Sequence, residues 1–287
     1  MYFEHFGLSE PPFALTPNLR FRVPLPPYEE ALHVLRLGIE GGEGLIKLVG
    51  EVGTGKTLLC RELLHSLGEN FFTAYLPNPA LDPRQLLHTL GEELGLGQGT
   101  TTEGPDATSR ILRRLIELRR HDRRVIVLVD EAQAMPDETI EALRLLTNLE
   151  TESAKLLQLV LFAQPELDLR LARPELRQIR QRISLPHRLR PLKAAETRRY
   201  VGERLHCAGC TRDDLFSAAS LALLQRASRG FPRLVNVLAH KSLLAAYGEG
   251  SPEVRRRHVR RAIRDTDDAG SRLRRSVRRM FAARLGA

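Results

Sequence analysis

Leu45-Ile46-Lys47-Leu48-Val49-Gly50-Glu51-Val52-Gly53-Thr54-Gly55-Lys56-Thr57 is the stretch on which the reading of the chain turns. Its first part is a short apolar run that predicts a strand over 45–49. The remainder matches Gly-x-x-x-x-Gly-Lys-Ser/Thr and runs into a helical pattern over 58–67, the strand-loop-helix setting that the motif requires. Glycines let the backbone curl so that successive N–H groups aim at phosphate oxygens, and the positive end of the following helix faces the same anion. Lys56 adds a point charge for the outer phosphates, and the Thr57 hydroxyl is a ligand for Mg²⁺. The expected nucleotide-binding residues are therefore Gly50, Glu51, Val52, Gly53, Thr54, Gly55, Lys56, Thr57 and Leu58.

A site that hydrolyses nucleotides also needs a carboxylate at the end of a neighbouring buried strand, where it can hold the metal. Val125-Ile126-Val127-Leu128-Val129-Asp130-Glu131 supplies it. Five apolar residues read as a central strand, Asp130 emerges at its carboxyl end as a second metal ligand, and Glu131 follows where it can polarise an attacking water. A module that only binds nucleotide has no use for Glu131.

Outward from these two motifs, short apolar runs alternate with segments of helical period, the pattern of a parallel sheet flanked by helices. Strands are expected at 45–49, 71–76, 124–129, 157–163 and 184–189, with helices at 83–94, 108–120, 136–149 and 174–181. Several of these helices open on Pro at a first-turn position. Beyond Pro191 only helical pattern remains, at 194–205, 215–228, 231–246 and 253–263. Four parts are expected: a lead-in at 1–44 lying near the base pocket, an α/β nucleotide-binding domain at 45–190, an all-α lid at 191–266 and a basic tail at 267–287. The Gly- and Thr-rich run at 95–105 has little to bury and is expected to form a mobile surface loop.

Composition narrows the class. With 287 residues, 42% hydrophobic and 28% charged, the chain has enough apolar material for one large domain or two, which excludes disorder throughout. No run approaches the roughly 20 apolar residues of a membrane-spanning helix, and the start does not read as a signal peptide, so a cytoplasmic location is expected. The net charge of +9 is local, because residues 255–287 hold twelve Arg against Asp265, Asp267 and Asp268 and so account for all of it. High pI therefore says nothing about what the main body binds. Cys60, Cys207 and Cys210 are too few for a disulfide framework; His206, Cys207 and Cys210 offer at most three soft ligands where a structural zinc wants four.

At this point the chain resembles the AAA+ ATPases, and within them those of type II secretion and mannose-sensitive type IV pilus biogenesis, the general secretion pathway protein A type. The matching stretches are Phe6-Gly7-Leu8, Pro12-Phe13 and Pro17; the loop from Gly50 to Thr57; Asp130-Glu131-Ala132-Gln133; Leu143-Arg144-Leu145-Leu146-Thr147-Asn148-Leu149-Glu150; Leu161-Phe162-Ala163-Gln164-Pro165-Glu166-Leu167; and Gly230-Phe231-Pro232-Arg233-Leu234-Val235-Asn236. The resemblance implies a P-loop fold with a five-stranded parallel sheet sandwiched by helices and an all-α lid after it. It implies ATP and ADP as ligands, Mg²⁺ as cofactor and hydrolysis of ATP to ADP and phosphate. Gln164 would be sensor 1, reaching the γ-phosphate or the water, unless it only makes a turn hydrogen bond. Arg233 would be the sensor 2 arginine of the lid, unless it is an exposed helix-start residue. An arginine finger given to a neighbouring subunit would come from Arg177, Arg180 or Arg182, with Arg182 preferred. Such a finger makes homo-oligomerisation, as a ring or open assembly, a condition of activity. Phe13, Pro17 and Tyr28 are candidates for the adenine pocket, with core packing the alternative; no Asn-Lys-x-Asp guanine signature is present.

The same resemblance implies partners among inner-membrane pilus or secretion components. The better-known secretion relatives continue into a membrane span and a peptidoglycan-binding region; against that pattern the chain reads as a short form, a departure that counts against a direct cell-wall role. In the tail, Leu273, Val277, Met280, Phe281 and Leu285 share a helical stripe away from Arg272, Arg275, Arg278 and Arg279, so residues 271–285 read as a basic amphipathic helix suited to a peripheral inner-membrane contact. A DNA-associated regulator like the transposition helper ATPases is the alternative, and only there would nucleic acid be a partner.

Overall fold

The computed structural model describes residues 2–97, 106–150, 155–267 and Ala269. The tail stripe at 271–285 and most of the 95–105 loop lie outside the described residues. Among the described residues the helices are α1 (Phe3–Phe6), α2 (Pro26–Glu40), α3 (Lys56–Ser66), α4 (Pro83–Glu93), α5 (Asp106–Arg120), α6 (Asp137–Leu146), α7 (Glu166–Leu171), α8 (Arg177–Arg182), α9 (Ala194–Cys207), α10 (Ala218–Ser228), α11 (Pro232–Gly248) and α12 (Arg256–Arg264). The strands are β1 (Leu45–Gly50), β2 (Phe71–Leu76), β3 (Arg124–Val129), β4 (Leu157–Ala163) and β5 (Leu185–Leu189), all parallel, in the order β2-β3-β4-β1-β5.

Alternate residues of the central strands face opposite layers. Leu45 and Val49 of β1, Val125, Val127 and Val129 of β3, and Leu157, Leu159 and Leu161 of β4 share a buried cluster with Leu86 and Leu90 of α4, Ile111 and Leu115 of α5, and Ile140 and Leu143 of α6. On the other face Ile46 meets α2 at Gly38, where an added Cβ would lie 2.7 Å from the side chains of Ile46 and Leu185. Each Val or Leu removed from water here contributes about 1.5–3 kcal/mol, which makes the two-sided sheet the stable centre of the unit. Lys47 is the exception within the apolar strand β1, and it is buried as an ion pair with Asp168 of α7.

The chain separates into two compact units. One is Pro26–Val52 with Lys56–Arg190, the sheet and its helices; the other is Met1–Leu25, Gly53–Gly55 and Pro191–Ala287. The division falls at Leu25, so the lead-in expected to run as one piece over 1–44 is shared between the units. Its first part is tied to the helical unit: the buried Arg204 guanidinium of α9 donates to Pro12 O at 2.6 Å, Ser9 N–H donates to Ala208 O at 2.8 Å, and Tyr2 Oη bonds His240 Nδ1 at 3.0 Å. No residue in 1–25 carries a helical period that would announce these partners.

Other boundaries shift for local reasons. The helix expected over 174–181 is a short 3-10 turn at Pro174–Leu176 followed by α8. The helix expected from 215 starts at Ala218, because Ser217 caps it by accepting from Ser220 N–H. That expected from 253 starts at Arg256, since Val254 bridges Phe216. The six-residue α7 was not foreseen at all, being too short for a helical period to register. Among the described residues no helix is long and apolar enough to cross a membrane.

Candidate functional site

The phosphate turn leaves β1 at Gly50 and enters α3 at Lys56, as the motif requires. Lys56 is 4% exposed, and its Nζ donates to Gly50 O at 2.8 Å and Glu51 O at 3.2 Å. Burial pulls its pKa below the usual lysine range, while the carboxylates of Glu131, Asp130, Glu51 and Glu166 pull the other way. Four acidic groups thus face a single ammonium. Glu166, at the start of α7, was not among the residues singled out from sequence.

Asp130 follows the end of β3 and is 2% exposed. Burial raises its pKa above the ordinary carboxylate value. Hydrogen bonds from the Thr57 hydroxyl and from the Glu131 N–H, at 2.9 Å, oppose that shift. The pairing of β3 with β4, and of β4 with β1, sets these groups side by side at the carboxyl end of the sheet. An aspartate and a threonine hydroxyl in contact are the hard oxygen donors that Mg²⁺ takes while keeping several waters. A buried carboxylate whose charge is disfavoured is one that a divalent cation would neutralise, so Thr57 and Asp130 fit the ion.

Glu131 adopts a left-handed backbone, φ 52° and ψ 38°, a conformation that costs a non-glycine residue about 1–3 kcal/mol and survives only where its surroundings enforce it. Its Oε2 accepts from Gln164 Nε2 at 2.9 Å and from the Gln133 side-chain amide. Gln164 N–H in turn donates to Gln133 Oε1 at 2.9 Å. The strand-end glutamine expected to reach a γ-phosphate or a water therefore holds the carboxylate beside it. In the sequence, the only signal that points to Gln133 is its position two residues after Glu131.

Arg233, second in α11, lies in the helical unit, and so does Gly53, to whose O its N–H donates at 3.1 Å. Gly53 has φ +79°, and a Cβ there would sit 2.8 Å from Arg233 Cβ, so this turn position needs glycine for both reasons. Within the same unit Phe13 packs edge-on to Phe216, ring centroids 6.2 Å apart, while Tyr28 is buried on α2 of the α/β unit. Arg177, Arg180 and Arg182 all stand exposed on α8, and none is among the partners of Lys56, Asp130, Glu131 or Gln164. Cys210 is buried with Sγ 3.8 Å from Phe6 O, Cys207 Sγ lies 3.3 Å from Arg20 O, and Cys60 is fully buried on α3.

Comparison with known proteins agrees with this geometry. The AAA domain family profile matches residues 39–171. General secretion pathway protein A of Aeromonas hydrophila is 42% identical over 261 residues, which is 88% of this chain and 46% of that protein, so the chain spans about half the length of the curated relative. Among solved structures, Cdc6p from Pyrobaculum aerophilum superposes with a TM-score of 0.69 at 18% identity, covering 88% of this chain and 70% of its own. The Aeropyrum pernix ORC2 protein gives 0.64 at 19% identity over 91% and 73%. The RuvB Holliday junction branch migration motor of Thermotoga maritima gives 0.58 at 14% identity over 88% and 76%. At such identities the likeness is one of fold.

Proposed function

Since the chain belongs to the AAA+ family of P-loop ATPases and is related to general secretion pathway protein A, we propose that it is an Mg²⁺-dependent ATP hydrolase that assembles with copies of itself and drives or regulates assembly of a type IV pilus or type II secretion-like apparatus at the inner membrane. The observation that carries the hydrolytic reading is Glu131, directly beyond the buried Asp130, with a left-handed backbone and a carboxylate held at Oε2 by two side-chain amides.

In this reading the backbone from Gly50 to Leu58 and the Lys56 ammonium bind the phosphates of ATP. Thr57 and Asp130 hold Mg²⁺, which when bound neutralises charge on the phosphate oxygens. Both amide bonds to Glu131 fall on Oε2, so Oε1 is the atom left to orient the attacking water and take its proton. Gln164 exchanges part of its grip on Glu131 for the γ-phosphate when nucleotide enters. Arg233 senses the same phosphate from the lid, and Arg182, with Arg177 and Arg180 beside it on an exposed face, is offered to a neighbouring subunit. Loss of the γ-phosphate then relaxes lid and subunit boundary together.

A Glu131→Gln protein is expected to bind ATP with unchanged affinity and to hydrolyse it about 100-fold more slowly or worse. Unchanged turnover would overturn the role given to Glu131. Mass and ATPase rate measured against protein concentration test the assembly. Cytoplasmic location at the membrane surface rests on the tail, and liposome flotation of the full chain against one ending at Asp268 tests it: equal recovery in the soluble fraction removes that contact.

One observation favours the second reading, a DNA-associated regulator. Arg256, Arg260 and Arg264 of α12 are all exposed at four-residue spacing, one basic stripe on the helical unit. Salt-dependent DNA binding in the presence of ATP supports that reading, and its absence at low salt supports the first.

A further inference from the structure

We infer that Gln133 is the positioning residue of the hydrolytic step, a two-handed clip that aims the Glu131 carboxylate, and that Arg170 fastens the clip to the fold. This deepens the hydrolytic reading above and rests on it. A side-chain amide has one acceptor oxygen and one donor nitrogen, and here both are committed. Gln133 Oε1 accepts from the Gln164 N–H at 2.9 Å, a backbone group fixed just past the end of β4, and Gln133 Nε2 donates to Glu131 Oε2. The clip therefore ties the flexible carboxylate to the most rigid object nearby, the end of a fully buried central strand. Gln164 adds a second amide donor on the same oxygen, at 2.9 Å.

The turn carrying Gln133 is itself pinned from the opposite side. Arg170 of α7 donates from Nη1 to Gln133 O at 2.7 Å, from Nη2 to Met135 O at 2.6 Å, and from Nε to Asp137 Oδ1 at 3.1 Å. Three consecutive bonds from one planar, permanently charged fork hold residues 133–137 in place. Both grips on the 131–137 turn, Gln164 and Arg170, come from the seven residues that follow β4. Glu131 reaches only the left-handed conformation this arrangement enforces, and Oε2 is taken by amides so that Oε1 keeps one direction. A carboxylate that swung freely about its side-chain torsions would spend most of its time misaligned, and misplacement by about 1 Å costs on the order of 100-fold in rate.

The experiment is a double-mutant cycle on the full chain with ATP and Mg²⁺. Gln133→Ala is expected to lower kcat about 10- to 100-fold with the KM for ATP and the melting temperature unchanged. Arg170→Met is expected to lower kcat in the same sense, and Arg170→Lys to restore only part of it, because an ammonium cannot reproduce the fork. The decisive readout is the combination: if Gln133 acts through Glu131, Glu131→Gln with Gln133→Ala is no slower than Glu131→Gln alone. Additive losses in the double variant, or a Gln133→Ala protein with full turnover beside an inactive Glu131→Gln, overturn the inference and leave the hydrolytic reading standing. A loss of ATP affinity in Gln133→Ala equal to its loss in kcat also overturns it, since that is the mark of a disturbed fold. A Glu131→Gln protein that turns over normally overturns both.

Discussion

The two ends of β4 carry the same residue type and use it in opposite ways. At the amino end Gln158, 3% exposed, donates to Ile39 O at 3.1 Å and Glu43 O at 2.9 Å. Beside it Arg124, first in β3, donates to Ile39 O at 3.2 Å and Glu40 O at 3.0 Å while its guanidinium stacks 4.6 Å over Phe71. Together they bond the last two carbonyls of α2, Ile39 and Glu40, and the Glu43 carbonyl in the turn beyond it. At the carboxyl end Gln164 closes on Glu131, next to a buried Asp130 that burial makes reluctant to ionise and a buried Lys56 whose own charge is disfavoured. One end of the sheet spends its polar groups on holding a helix. The other gathers charges that burial disfavours, the kind of asymmetry that supports placing the proposed site there.

The largest test of this contrast is Asp130→Asn. On the proposed role of Asp130 in holding Mg²⁺, this change is expected to reduce Mg²⁺-dependent turnover about 1,000-fold, the loss of several kcal/mol of charge stabilisation. The same change is expected to raise the melting temperature of the nucleotide-free protein at neutral pH, because it deletes a charge that burial disfavours. The rise amounts to about 2–4 °C for every 1 kcal/mol relieved. A variant that loses both activity and stability would show that Asp130 belongs with the structural polar groups and would break the comparison.

Next in size is Gln164→Leu, expected to lower kcat about 100-fold, as the loss of one preorganised donor does, with no change in melting temperature beyond about 1 °C. Gln158→Leu, six residues earlier on the same strand, is expected to do the reverse. It leaves Glu43 O short of a donor, while Ile39 O keeps Arg124 and the Gly42 N–H, and it is expected to cost about 1–3 kcal/mol of stability and leave kcat where it was. The deficit is moderated because Gln158 Oε1 has no partner of its own to lose. Equal effects of the two substitutions on both measurements would erase the distinction between the ends.

Much of this was legible beforehand. The strands over 71–76, 124–129 and 157–163 were read to the residue, because apolar residues dominate each run despite Thr73, Arg124 and Gln158. Spacing also led to the expectation that Lys56, Thr57, Asp130 and Glu131 come together, and the structure places them near one another at the carboxyl end of the sheet. What escaped was the set of polar contacts, far apart in the chain, that no motif announces. Gln133 with Gln164, Arg170 with Asp137, Lys47 with Asp168 and Arg204 with Pro12 are separated by 31, 33, 121 and 192 residues.

The sequence by itself thus determined the sheet, the phosphate loop and the acidic pair, because hydrophobic periodicity and backbone-specific glycines are written locally. Only the tertiary structure decided that the first 25 residues group with the helical unit, that Gln133 and Gln164 share the Glu131 carboxylate, and that Arg170 pins the turn between them. A hydrogen bond satisfies whichever donor and acceptor the packed elements bring within about 3 Å, and nothing in the order of residues along the chain carries that distance.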